Sequence, residues 1–193
     1  MSSPTLTILA GSNGAGRSTL TSSAREAFQG APLLDPDAVA RALRETLPNN
    51  DHSMEAGRRV LLRAEELIAS RQSFTVETTL SGNTYLRMAS RAKANGFLLS
   101  LIFIGTTSVE INIARVKARV LKGLHDVPEE DQRRRYPRTL ANMARLLPLA
   151  DVAILLDNST AAGYCLVAAG HRESMVWTEP LPDWAKPLQA LLP

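Results

Sequence analysis

The chain has 193 residues, 45% hydrophobic and 21% charged, with 22 Lys and Arg against 19 Asp and Glu. That length suits one domain with a sizeable core, and a net charge of +3 fits anionic small-molecule ligands as well as nucleic acid and argues by itself for neither. One cysteine, Cys165, excludes an intramolecular disulfide, no apolar run reaches the roughly 20 residues of a membrane span, and the N-terminus lacks a signal-peptide pattern, so a cytoplasmic protein is expected.

The apolar run Thr5 to Ala10 predicts a buried strand. It leads into Gly11-Ser12-Asn13-Gly14-Ala15-Gly16-Arg17-Ser18-Thr19, and Ser18 to Phe28 then reads as a helix. Strand, glycine-rich loop and helix form the context of a phosphate-binding P-loop. Glycines let successive backbone N–H groups turn inward around a phosphate, and the helix start adds unpaired N–H groups and a positive dipole end. The Ser18 hydroxyl is placed for Mg²⁺, and the position usually held by lysine is Arg17, a planar fork in place of a point charge.

Leu33-Leu34 predicts a short strand ending at Asp35-Pro36-Asp37, with Asp37 able to cap a helix from Ala38 to Leu47. Pro48 to Asp51 reads as a loop and Met54 to Ser70 as an amphipathic helix. Ser73 to Val76 predicts a third strand that delivers Glu77, Thr78 and Thr79 at its end. A helix from about Thr84 to Asn95 follows, stopped by Gly96. Phe97 to Ile104 is the most apolar run and reads as a central parallel strand. Ser108 caps a helix from Val109 to about Lys122, which Gly123 ends.

Leu124 to Asp131 reads as an irregular segment holding His125, most simply a loop residue. The basic run Arg133, Arg134, Arg135 and Arg138 comes next, then a helix from Thr139 to Leu147. Strands are expected at Ala150 to Leu156 and Tyr164 to Ala169, with a weaker one at Glu173 to Thr178. Pro180, Pro182 and Pro187 break up an irregular tail from about 179 that has room for one short helix. The alternation predicts an α/β fold, a doubly wound, mostly parallel sheet flanked by helices, as one P-loop kinase domain over 1–193. Ligands of such sheets bind at the carboxyl ends of the strands. That edge collects the P-loop, Asp35 to Asp37, Glu77 to Thr79, Gly105 to Thr107 and Asp157.

Phosphoryl transfer needs a phosphate cradle, Mg²⁺, a base for the acceptor proton and cations around the transferred group. Asp37 is the candidate base, with Asp35 competing. Glu77 is placed for an acceptor hydroxyl or a Mg²⁺-bound water. Arg115 and Arg119 share one helix face, and together with the Arg133 to Arg138 run they supply cations.

In their order, the P-loop, Leu33-Leu34-Asp35-Pro36-Asp37, Phe74 to Gly82, the stretch from Arg119 through His125 and Val127-Pro128-Glu129 to Arg138, and Asp157-Asn158-Ser159 resemble the zeta toxin kinases over about residues 5 to 160. The resemblance implies a P-loop kinase that uses ATP and Mg²⁺ to phosphorylate the 3′-hydroxyl of the sugar in UDP-N-acetylglucosamine. Many members of that family are toxins held inactive by a small antitoxin; neither end of this chain reads as an antitoxin segment, so any inhibitor is expected to be a separate chain, or absent. Asp37 matches the family's base, Glu77 and Thr79 its acceptor contacts with Thr78 between them, Arg119 one phosphate-binding arginine, and Arg134 or Arg135 the second. Arg17 stands where the family has lysine. Two alternatives remain at this stage: a kinase for another metabolite, a nucleoside or a polynucleotide end, and a nucleotide-binding module without catalysis.

Overall fold

The computed structural model describes residues 3–24, 30–46, 52–121 and 126–192. The expected helix end at Phe28, the loop at Pro48 to Asp51, the stop at Gly123 and His125 lie outside the described residues. Among the described residues, seven strands form one sheet in the order β2-β3-β1-β4-β5-β6-β7. Strands β1 (Thr5–Gly11), β2 (Leu33–Leu34), β3 (Phe74–Thr78), β4 (Leu98–Gly105) and β5 (Val152–Asp157) run parallel. β6 (Cys165–His171) and β7 (Val176–Trp177) close the far edge antiparallel.

Register fixes the functional edge. Ala10 pairs with Thr78 on one side and Phe103 on the other, and Gly105 pairs with Asp157. The carboxyl ends of β1, β3, β4 and β5 therefore stand side by side, as the parallel reading requires.

Side chains alternate across the sheet. Leu6, Ile8, Phe74, Val76, Leu101 and Leu155 belong to the main core, which α3 (Ser53–Ala69), α4 (Thr84–Ala94) and α6 (Glu129–Leu146) complete with Leu67, Ala89 and Met143. Leu9 and Ile104 point the other way, into a smaller cluster with Ala15 and, from α1 (Arg17–Ser23), Leu20. α5 (Val109–Val120) follows β4, and α7 (Lys186–Gln189) is the short helix of the tail.

Two expectations need correction. Helix α2 spans Pro36–Thr46, so Asp37 lies in its first turn and does not cap it. Asp35 does so: its Oδ1 accepts from the Asp37 N–H at 2.9 Å, and its carbonyl from the Val39 N–H at 3.0 Å. Helix α6 starts ten residues before Thr139, at Glu129, and carries Pro137 inside it. Glu129, Glu130 and Asp131 complement the dipole of its first turn. Arg133 pairs back to Glu129, and Arg134 and Arg135 to Asp131, at helical spacing. These pairs and the buried face of α6 outweigh the one helix hydrogen bond that proline removes.

Candidate active site

The P-loop is built by close approach. Gly14 has φ +80°, and a Cβ there would stand 2.5 Å from the Asn112 carbonyl oxygen. Gly16 has φ +113°, and a Cβ would meet Asn158 Nδ2 at 2.6 Å and the Tyr164 hydroxyl at 2.9 Å. Glycine is therefore required at both by backbone conformation and by space. Those two neighbours hold the loop directly. Asn158 Nδ2 donates to the Ala15 carbonyl and the Tyr164 hydroxyl to the Gly16 carbonyl, both at 2.7 Å. Gly16 precedes the first turn of α1 without a side-chain cap, which leaves the cradle to the backbone.

A cleft of about 510 Å³ opens over this loop. Its walls include Gly14, Gly16, Arg17, Ser18 and Thr19 below, Asp37 on one side, Arg115 and Arg119 from α5, and the turn from Asn158 to Tyr164. Arg119 Nε is buried with no hydrogen-bond partner among the described residues. A buried charged donor left open in this way suits an anion. Arg115 instead braces the turn, donating to the Asn158 carbonyl at 2.6 Å. Gly11, Ser12, Asn13 and Ala15 are buried in the loop itself.

Arg17 is 8% exposed and points across the cleft floor. Its Nη2 lies 3.9 Å from Asp37 Oδ2 and its Nη1 4.0 Å from Glu77 Oε2. Glu77 lies within β3, buried at 2% exposure. Its Oε1 accepts from the Thr21 hydroxyl at 2.5 Å, and its Oε2 from Ser18 Oγ at 3.5 Å. Burial pushes the Glu77 carboxyl above the usual range, with Asp35 and Asp37 adding to the effect; Thr21 and Arg17 oppose it. Tyr85 faces the same charges. Burial pushes its phenol up to about 12, Arg17 opposes, and Asp37 and Asp35 add.

Beyond β3 the chain turns sharply. The Thr78 hydroxyl accepts from the Leu80 N–H at 2.9 Å, and Leu80 itself has φ +55°, a conformation costly for a bulky residue. Helix α6 clamps this turn: Thr139 donates to the Thr79 carbonyl at 2.7 Å and Asn142 to the Leu80 carbonyl at 2.8 Å. The Thr79 hydroxyl shares a 3.0 Å hydrogen bond with Ser81.

The structure thus brings together the P-loop, Ser18, Asp37, Glu77, Arg115 and Arg119. The described lining of the cleft contains neither Arg134 nor Arg135, which pair with Asp131 on α6. Sequence reasoning missed Thr21, Tyr85, Thr139, Asn142 and Tyr164 as parts of the site, and had Asn158 only as a member of the last motif, without a role. Thr21 alone left a local signal, since it follows Ser18 by three residues on one helix face.

Among the described residues no group of three or more His, Cys, Asp or Glu side chains converges on a metal site. A Mg²⁺ ion here fits one hydroxyl ligand and the phosphates of a nucleotide, the usual way that ion is held. No described helix is long and apolar enough to cross a membrane.

A family model described as zeta toxin matches residues 1–164. An uncharacterized protein of Haemophilus influenzae is 38% identical over 126 residues, covering 65% of this chain and 88% of that protein. Among solved structures, that of the PezAT chromosomal toxin-antitoxin system of Streptococcus pneumoniae gives a TM-score of 0.66 at 16% identity, covering 99% of this chain and 86% of that one. A candidate kinase from Chloroflexus aurantiacus gives 0.62 at 19% identity, covering 83% and 91%. The AvrRxo1-ORF1:AvrRxo1-ORF2 complex gives 0.61 at 17% identity, covering 97% and 63%. At these identities the structural likenesses speak for the fold.

Proposed function

The chain belongs to the zeta toxin family, and on that premise we propose that it is an ATP-dependent kinase that phosphorylates a sugar hydroxyl of UDP-N-acetylglucosamine or a related UDP-amino sugar. The observation that most supports this reading is the span of Arg17. One side chain of the phosphate loop reaches Asp37 and Glu77, so a triphosphate tail and an acceptor hydroxyl would meet within one side chain's length. Asp37 accepts the acceptor proton as the hydroxyl attacks in line. Arg17, Arg119 and the main-chain amides of Gly14 to Thr19 surround the transferred group and stabilise its developing charge. Glu77, Thr78 and Thr79 orient the sugar. Ser18 would hold Mg²⁺, which when bound neutralises charge on the β- and γ-phosphates. Arg134 or Arg135 joins the clamp on leaving Asp131.

ATP and UDP-sugars as substrates place the reaction in the cytoplasm, and a separate antitoxin chain is the expected protein partner. Incubation with labelled ATP and a panel of UDP-sugars tests the reading. Label on the amino sugar is expected. ATP binding without transfer to any UDP-sugar would reject the acceptor.

A further inference from the structure

The region matched to the family ends at residue 164, yet the tail beyond it returns to the functional edge. Trp184 is 8% exposed and packs on Phe103 with ring centroids 5.4 Å apart. It fills the space over Gly105, where a Cβ would stand 2.3 Å from the indole carbon Cε2. A buried indole N–H needs an acceptor. Trp184 Nε1 donates to Asp157 Oδ2 at 2.7 Å.

Asp157 is the start of a chain of bonds to the phosphate loop. Its Oδ1 accepts from the Ser159 N–H and its Oδ2 from the Ser159 hydroxyl, both at 2.9 Å. The Ser159 Oγ in turn accepts from the Thr107 N–H at 2.9 Å. Between them Asn158 donates from its main chain to the Gly105 carbonyl at 2.9 Å and from its side chain to Ala15. Tyr164 closes the same turn onto Gly16. The atoms that shape the cradle therefore hang on a turn whose one carboxylate is shared between Ser159 and a tail tryptophan.

We infer that Trp184 is a positioning residue for the nucleotide site: its indole fixes Asp157, and through it the turn from Asn158 to Tyr164 that holds the phosphate loop. The inference rests on the reading of this cleft as the ATP cleft. Losing the hydrogen bond lets the turn drift from Ala15 and Gly16, which weakens ground-state and transition-state binding of the donor alike. Asp37 and Arg119 lie outside this chain of bonds, so the chemical step at saturation is spared.

Trp184→Phe keeps most of the ring packing and removes the donor. Trp177→Phe, in the same tail but not bonded to Asp157, is the control for general loss of stability. Calorimetry with ADP and steady-state kinetics on the full chain read the effect. The expected result is about tenfold weaker ADP binding and a similarly raised KM for ATP in Trp184→Phe, the order expected from losing one hydrogen bond to a charged acceptor. kcat stays within about twofold, and Trp177→Phe binds ADP as the wild type does. Equal ADP affinity in Trp184→Phe and wild type, or an equal loss in Trp177→Phe, overturns the inference while the ATP reading stands. A wild-type protein that binds no ADP or ATP overturns that reading and the inference with it. Should Trp184→Phe not fold, Ser159→Ala cuts the same chain nearer the loop. The same loss is expected there, and unchanged affinity refutes the proposal.

Discussion

Arg17 and Asp37 face each other across the cleft floor at 3.9 Å, the first from the phosphate loop and the second from the helix after β2. The guanidinium fork also reaches Glu77, so it serves two carboxylates at once. A nucleotide must draw Arg17 away from both. The Arg17–Asp37 pair, exposed on the aspartate side, is worth about 0.2–1 kcal/mol, whereas Glu77 is buried beside Arg17. A compact ammonium cannot bridge them as a fork does. Arg17→Lys is therefore expected to raise kcat/KM for ATP by about threefold. Arg17→Ala is expected to lower it at least roughly 100-fold through loss of charge stabilisation. Steady-state kinetics at saturating acceptor checks both.

Asp37→Asn removes the proposed base and keeps the shape of the cleft. Transfer is expected to fall about 10²- to 10⁴-fold, the usual yield of general base catalysis, while ATP affinity changes little. Retention of full turnover would move the role to Asp35, whose carboxylate caps α2 from two residues away.

Arg119 and the α6 arginines separate cleanly. Arg119→Ala removes a cation from the cleft wall and is expected to lower kcat/KM for ATP by about 10²-fold or more. Arg134→Ala and Arg135→Ala each remove a pair to Asp131 and are expected to cost no more than about 1 kcal/mol of stability. A fall in kcat/KM as large as that of Arg119→Ala in either one would identify the second phosphate arginine.

The buried Glu77 makes stability depend on pH with a defined sign. Its folded-state pKa is raised above the ordinary 4.5, so the folded chain holds this proton more tightly than the unfolded chain. The group's favourable contribution is complete below pH 4.5 and is lost as pH rises through the folded value. Glu77→Gln carries no such loss. Its melting temperature is expected to exceed the wild type's at pH 7 and to lose that advantage below pH 4.5, as a series of thermal melts would show.

Asn142→Leu strips the donor from two carbonyls of the turn after β3, those of Leu80 and Gly82. Leaving such groups unpaired costs about 1–3 kcal/mol. Chemical denaturation should show that loss. The KM of the acceptor is expected to rise more than that of ATP, because the turn follows Glu77 and lies outside the phosphate loop.

Much of this was legible along the chain, and the reasons are local. The run Thr5 to Ala10 followed by glycines declares strand, loop and helix by period and backbone freedom alone. The parallel sheet edge followed from alternation of elements and the place of Asp35, Glu77 and Asp157 at strand ends. Two readings failed. The helix was expected to begin only at Thr139, after the basic run, although the acids at Glu129 to Asp131 already supplied the arginines with partners at helical spacing. Asp37 looked like a cap, although Pro36 suits the first helical position and makes Asp35 the cap. What stayed hidden was long-range: Thr139 on the Thr79 carbonyl, Asn158 on Ala15 and Trp184 on Asp157 join residues 60, 143 and 27 positions apart. No periodicity announces such bonds, since each depends on how distant elements stack.

Helix α6 touches both halves of the cleft. Tyr136 donates to the Thr106 carbonyl at 2.5 Å beyond β4, while Thr139, Asn142 and Arg145 hold Thr79 to Asn83 beyond β3. One rigid rod thus ties the turns that follow two separate strands. Directed evolution aimed at a new acceptor will meet this coupling: winning changes between 79 and 83 will arrive with second changes on α6, and altering either alone will disturb both sides of the cleft.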